Sequence, residues 1–303
     1  RVTNPNYNDG SDSGSIVIKK REVTVAGDGW AGGQPYTGTE YKTNGYTFSN
    51  VVDGQTATIS YELAGTNVGK YTGAFGDDFK VTAAGKDVTA NYSLTAKAPG
   101  ALEIVKADRP ADKQIAVTGY EAAYDGAGHG VSVSGNDLPG DKTEYSTDGG
   151  QTWSEEPPAA TDVSSTGVSV RVTNPNYNDG SDSGSIVITP RVVRLYSEDS
   201  RTYSGYEQTL TITPADMAPG YSMVAGDELG GTAEVKGTEA GTYTEVVNNN
   251  ISVATGKAED YSVEVAGKLA IVKAQGDLVP QTPGGTTPID PSDPRVAGLD
   301  GRG

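Results

Sequence analysis

The chain has no cysteine and a single histidine in 303 residues. The first absence excludes a disulfide framework and thiolate metal sites, and the second excludes a multi-histidine site, so cohesion must come from packing. Disulfides are permitted outside the cell but not required there, so zero Cys leaves the compartment open. Aromatic carbon is also thin: 3 Phe and 2 Trp beside 17 Tyr, within 35% apolar residues. That is little for one thick core, but it suits several two-sheet cores about 10 Å across. Positive charge is scarce, with 23 Lys and Arg against 40 Asp and Glu and a formal net charge of −17. Such a surface repels a phosphate backbone, which argues against nucleic acid as a partner. The acids are scattered, as on a solvated surface, rather than gathered into a binding tract. No apolar run reaches the roughly 18 residues that span a bilayer, so no membrane insertion is expected within this chain. The sequence starts without Met and without a charged-then-apolar leader, and it reads as a piece of a longer protein.

What is abundant is Gly, 41 residues of it, with Thr, Val and Tyr, the composition of short pleated strands joined by tight turns. Internal repetition organises these strands. Residues 1 to 18, RVTNPNYNDGSDSGSIVI, recur without change at 171 to 188. A weaker pattern repeats three times: Tyr-x-Gly at Tyr36, Tyr124 and Tyr203, then Asn91-Tyr92, Asn176-Tyr177 or Asp260-Tyr261, then an alternating strand at Leu102/Ile104, Ile186/Ile188 or Leu269/Ile271. Each Tyr-x-Gly is expected to open a module. Further period-2 runs, among them Ile16-Val17-Ile18, Val23-Val25, Val131-Val133 and Leu210-Ile212, are bounded mostly by Gly, Asn, Asp or Pro, and no stretch carries a helical period.

The expected architecture is all-β: tandem β-sandwich modules in an elongated array. Residues 1–18 would be the closing strand of a preceding repeat, with modules at 19–107, 108–190 and 191–275 and a Pro/Gly/Thr-rich linker or disordered tail at 276–303. Pro110 and Pro190 mark the short junctions and limit bending there. Arg1 to about Gly14 has no module of its own to close. It is expected to be poorly ordered or held only by a neighbouring edge, with Ile16 onward leading into the first module.

The elements Tyr124-Asp125-Gly126, Gly241-Thr242-Tyr243-Thr244, VRVTNPNYNDG and LAIVKA resemble the YDG/MBG-type immunoglobulin-like repeats of bacterial surface proteins and adhesins. The first module departs with Tyr36-Thr37-Gly38, which keeps the turn Gly. The resemblance covers nearly all of residues 1 to 275. It implies all-β, tandem immunoglobulin-like β-sandwich modules, extracellular display at the cell surface, and an unidentified host or bacterial surface ligand, protein or glycan, and it assigns no catalytic residue.

Three features could carry chemistry, and a fourth is structural. Ser146-Thr147-Asp148-Gly149-Gly150-Gln151-Thr152-Trp153 resembles the Asp box of sialidases and other β-propellers. One box reads as a hairpin turn in which Ser and Asp side chains hold backbone N–H groups and Trp packs beneath. The acidic loops with Asp179 and Asp182, and with Asp9 and Asp12, have oxygen ligands enough for Ca²⁺. Yet Ser181, Ser183 and Pro190 break the EF-hand pattern, and a polar hairpin loop is the competing reading. His129 stands beside turn glycines without a second base, as a solvated loop residue would. Tyr71 and Tyr243 precede late strands where a tyrosine corner would sit, with an ordinary buried strand Tyr as the alternative.

The function read from these features is a non-catalytic extracellular stalk or adhesive spacer of a bacterial cell-surface protein, with no cofactor beyond a candidate Ca²⁺. The alternative is a set of accessory modules, glycan-binding among them, of a surface carbohydrate-active enzyme.

Overall fold

A computed structural model describes residues 1–275; the tail expected at 276–303 lies outside the described residues. The described residues are nearly all strand and turn, as the short alternating runs require.

In residues 21–105, the strand Arg21–Gly27 lies between Tyr92–Ala98, which it pairs in parallel, and the antiparallel Tyr46–Ser49. Across the sandwich, Ala101–Val105 pairs in parallel with Gly33–Pro35 and antiparallel with Gly69–Thr72. Alternation in Arg21–Gly27 buries Val23 and Val25, and alternation in Ala101–Val105 buries Leu102 and Ile104, which meet Tyr61 and Leu63 in the core. Each such side chain contributes about 1.5–3 kcal/mol on leaving water.

The module built from residues 191–272 repeats this plan with longer strands. Arg191–Thr202 and Tyr261–Val272 run parallel in unbroken register, Arg191 opposite Tyr261 and Thr202 opposite Val272. Leu195, Leu210, Ile212, Ala233, Val235, Leu269 and Ile271 form its core.

The middle module is built differently. Its main sheet has four strands, Tyr120–Ala123, Gly180–Thr189, Ser164–Thr173 and Lys142–Ser146, in that spatial order. Val168, Val170, Val172, Ile186 and Ile188 fill the inner face. By their contacts the residues form two compact units: Arg1–Ala122 with Ala127–Ile188, and Ala123–Gly126 with Thr189 onward.

Three sequence expectations change. Tyr-x-Gly does not open a module: the Tyr36, Tyr124 and Tyr203 amides each donate to the last strand of their own module, to Val105, Thr189 and Val272, so the motif ends the first strand run. Its Gly (Gly38, Gly126, Gly205) takes φ of +77 to +79° at all three turns, where a side chain would be strained. Asn176-Tyr177 is not equivalent to Asn91-Tyr92. Asn91 and Asp260 end 3₁₀ turns, Thr89–Asn91 and Ala258–Asp260, that launch the last parallel strand, whereas Asn176-Tyr177 lies in the loop between two antiparallel strands.

The third concerns the duplicated 18 residues. Residues 1–14 are not featureless: Val2–Asn4 and Tyr7–Gly10 form a two-stranded hairpin with Val2 opposite Gly10, matching Val172 opposite Gly180 in the downstream copy. Ile16-Val17-Ile18, however, is not a strand, and Ile16 and Ile18 are 93% and 92% exposed, while Ile186 and Ile188 are 1% and 3% exposed. The turn is encoded locally, but the strand forms only where a sheet receives it.

This pair gives an internal control. Ile186→Ala is expected to lower the stability of the middle module by about 2–5 kcal/mol, whereas Ile16→Ala should change it by less than about 0.5 kcal/mol. Native-state hydrogen exchange of amides in Ser164–Thr173 measures both.

Candidate functional site

The described feature with the densest polar construction is the joint between the first two modules, where the loop Asn174–Asp179 meets the end of the first module. The site begins with a linker residue. Arg109 follows the strand Ala101–Val105 by four positions and is buried, with only 3% of its side chain exposed. Nη1 and Nη2 donate to the two carboxylate oxygens of Asp141 at 3.0 and 2.6 Å. Nη2 also donates to the Gly135 carbonyl and Nε to the Lys113 carbonyl. Asp141 is 2% exposed at its side chain. Burial alone would raise its pKa; hydrogen bonds from Arg109, Asn174 and the Leu138 amide outweigh that and hold the carboxyl below its usual range.

Asn174 passes this order to the loop. Its Nδ2 donates to Asp141 and to the Pro139 carbonyl, and its Oδ1 accepts the Asn176 and Tyr177 amides. The loop is thereby aimed at the first module. Asn176 Oδ1 accepts the Val68 amide at 3.0 Å and its Nδ2 donates to Asn67 Oδ1 at 3.1 Å. The Ala107 amide donates to the Asn176 carbonyl and the Asn178 amide to the Ala107 carbonyl. The Tyr177 ring meets Tyr36 edge-on at 5.3 Å, and Lys106 donates to Asp179 at 2.8 Å.

The two candidate Ca²⁺ ligands are not brought together by this arrangement. The Asp179 carboxylate is engaged by Lys106, which lowers its pKa, and Asp182 accepts the Val117 amide at 2.7 Å, also with a lowered pKa. In the upstream copy Asp9 pairs with Arg1, and Asp12 accepts the Ser13 amide. Among the described residues no group of three or more His, Cys, Asp or Glu is placed to hold a metal ion.

The Asp-box segment is a self-contained turn. Ser146 Oγ accepts the Gly150 amide, and Asp148 accepts the Gln151 and Thr152 amides, Thr152 Oγ and Ser146 Oγ. The hydrogen bonds from Thr152 first, then Ser146 and Gln151, drive the Asp148 pKa far down. Trp153 Nε1 donates to the Gly150 carbonyl, and the Arg171 guanidinium lies 4.2 Å over the indole ring. His129 departs from the solvated reading: it lies on a short strand, stacked on Tyr120 with ring centroids 4.0 Å apart.

Tyr71 and Tyr243 adopt the corner geometry, each hydroxyl donating to a carbonyl four residues upstream, Asn67 and Glu239. The rings lie so close to Gly65 and Gly237 that an added Cβ would come within 2.6 and 2.3 Å. In the second unit, Tyr124 lies edge-on to Tyr261 at 5.4 Å, and Arg191 donates to the Tyr124 carbonyl. Burial and then the hydrogen bond to Asp227 push the Tyr261 hydroxyl up to about 12.

Arg109 and Asp141 escape sequence reading because nothing local marks them. The Asn-rich loop was visible, but its bond partners lie more than 100 residues upstream in Asn67 and Val68.

The class that this fold defines is a tandem of immunoglobulin-like β-sandwich modules. Scans of the sequence against family models and curated proteins give no match. Among solved structures, the I9–I11 tandem of titin is similar at 11% identity, over 86% of this chain and 99% of that one, with a TM-score of 0.22. A 1.5-MDa bacterial ice-binding adhesin is similar at 14% identity, over 73% and 91%, with a TM-score of 0.25. Drosophila N-cadherin EC1-4 is similar at 6% identity, over 72% and 58%, with a TM-score of 0.22. Superposition at this level carries no functional argument.

The buried pair sets an expectation for stability and pH. Asp141→Asn should cost the middle module about 3 kcal/mol at pH 7, because it leaves a buried guanidinium without its counter-charge. The folded pKa of Asp141 is depressed, so its contribution is complete above the unfolded carboxyl value of about 3.9 and is lost as pH falls through the lower folded value. Urea denaturation of wild type and variant from pH 7 to 2 should show the gap holding to about pH 4 and closing below it.

Proposed function

We propose that this chain is a non-catalytic extracellular spacer and adhesive stalk segment of a bacterial cell-surface protein, built from repeats of the YDG/MBG type. The observation that carries the reading is the joint between the first two modules. A flexible tether leaves its linker in water, whereas here Arg109 is buried and Ala107 is bonded on both sides to the facing loop. Binding energy is spent on holding two modules in register, as a spacer that must present something at a defined position requires.

The surface supports display outside the cell: it is strongly acidic, with polar turns and few exposed large apolar groups outside residues 1–18. Among the described residues no helix is long and apolar enough to cross a membrane. The carboxylate of the Asp box is engaged by its own turn, which favours a structural role over glycoside chemistry. The ligand class for the adhesive part is a host or bacterial surface protein or glycan.

The test applies the purified chain to an array of glycans and host-surface proteins, with parallel hydrolysis assays on the same glycans, sialosides included. No sugar release is expected, and Asp148→Ala should lower thermal stability alone. Release of sialic acid or any other sugar by the wild-type chain would overturn the non-catalytic reading.

A further inference from the structure

The first and third modules share one antiparallel strand pairing and differ in where it stops. Gly65 and Gly237, each packed under the ring of a corner Tyr, fix the alignment. In the third module Gln208–Ile212 pairs with Ala233–Gly237 along its whole length, with Thr211 opposite Glu234 and Ile212 opposite Ala233, and this last pair is fully buried. In the first module the matching strand, Tyr41–Thr43, ends two residues earlier, with Thr43 opposite Leu63. Asn44 and Gly45 then lead the chain into Tyr46–Ser49, which pairs with Arg21–Gly27, and the Gly45 carbonyl accepts the Asp28 amide.

Where the strand leaves, a groove of about 770 Å³ lies over Tyr61 and Glu62. Its lining is aromatic on one side: Phe75 rests on the Tyr61 ring with centroids 4.6 Å apart, and the Ile59 amide donates to the Tyr46 hydroxyl. Tyr46 and Phe75 are half-buried. The rim is polar, with Asn44 exposed and Lys42 paired with Glu62 at 3.1 Å. Backbone groups are also presented. The Gly76 amide donates to the Ser60 carbonyl, so alternation turns the Tyr61 N–H and C=O the opposite way, toward the side where no strand continues.

We infer that this groove binds a neutral sugar ring, a pyranose unit of an oligosaccharide. The inference gives the adhesive part of the proposed function a ligand and a site, and it rests on that reading. A pyranose has an apolar C–H face and a rim of hydroxyls that both donate and accept, and the groove supplies a partner for each. Phe75 and Tyr46 take the C–H face. The Asn44 amide, the Glu62 carboxylate and the Tyr61 backbone take hydroxyls. An extended peptide fits less well, because strand addition needs a row of main-chain bonds and only the Tyr61 position is left open here. An anionic sugar also fits less well, because Lys42 already faces Glu62 and the chain carries a net charge of −17.

The test is a ¹H–¹⁵N shift titration of the labelled full chain with maltose, cellobiose, lactose, mannobiose and sialyllactose, each to about 50 mM, enough to saturate a site with a dissociation constant on the order of 1 to 10 mM. The expected result is that at least one neutral disaccharide gives saturable shifts at the Asn44, Tyr61 and Glu62 amides, with none at Thr209 to Ile212, where the third module keeps the strand. Phe75→Leu keeps an apolar contact with Tyr61 but removes the flat ring, and Asn44→Ala changes only the exposed rim. Each should weaken binding at least about tenfold, and the same spectra show that the module stays folded. Binding confined to sialyllactose, shifts outside the groove, or binding indifferent to both substitutions would overturn the site and leave the adhesive reading standing. So would a chain that takes none of these sugars but captures a protein on the array, whereas a chain that binds nothing in either assay overturns both.

Discussion

A guanidinium and a carboxylate buried together, Arg109 and Asp141, fix the join between the first two modules. Left unpaired, either group would cost several kcal/mol, so Arg109 can take only the position in which Asp141 receives both of its terminal nitrogens. That position draws the linker against the middle module. It also uses the Asp141 oxygen that orients Asn174, and Asn174 orients the loop that grips the first module. The pair need not add much net stability over an apolar substitute. What it adds is direction: the polar network specifies where one module ends and how the next begins.

The two copies of the 18-residue sequence separate what a segment encodes from what its surroundings supply. Both copies turn back with the same outer residues opposed, Val2 with Gly10 and Val172 with Gly180, and in both the Asn side chain accepts the amide two residues on; between them the upstream copy closes with Asn4 opposite Tyr7, whereas downstream the loop opens and Tyr177 bridges Ala107. Only the downstream copy makes the long strand with buried isoleucines, because only there do Ser164–Thr173 and Tyr120–Ala123 flank it. Strand propensity without a sheet to join leaves Ile16 and Ile18 in water.

Much of the fold was legible in the sequence, since alternation at Leu102/Ile104, Ile186/Ile188 and Leu269/Ile271 marks the buried faces directly. The tyrosine corners were half legible: a Tyr ahead of a late strand was visible at Tyr71 and Tyr243, but the close approach of each ring to Gly65 or Gly237 was not. Module type was misread where a dipeptide recurred by coincidence. Asn176-Tyr177 matches Asn91-Tyr92 in letters, yet one sits in a loop between two antiparallel strands that are near neighbours in sequence, and the other launches a strand that pairs in parallel with the remote Arg21–Gly27. The joint was the least legible part. Its partners are remote in sequence, and a lone Arg beside a Pro looks like solvated linker until Asp141 is placed next to it.

The central claim, that the loop Asn174–Asp179 holds the first two modules as one body, can be read from ¹⁵N relaxation of the labelled chain. Amides of Arg21–Gly27 and of Ser164–Thr173 should report one shared rotational correlation time. In a variant carrying Asn176→Gly and Tyr177→Ala, the two sets should separate, each shifting toward faster tumbling while both modules stay folded. Distinct correlation times for the two strands in the wild-type chain, or a shared time that survives the double substitution, would contradict the account.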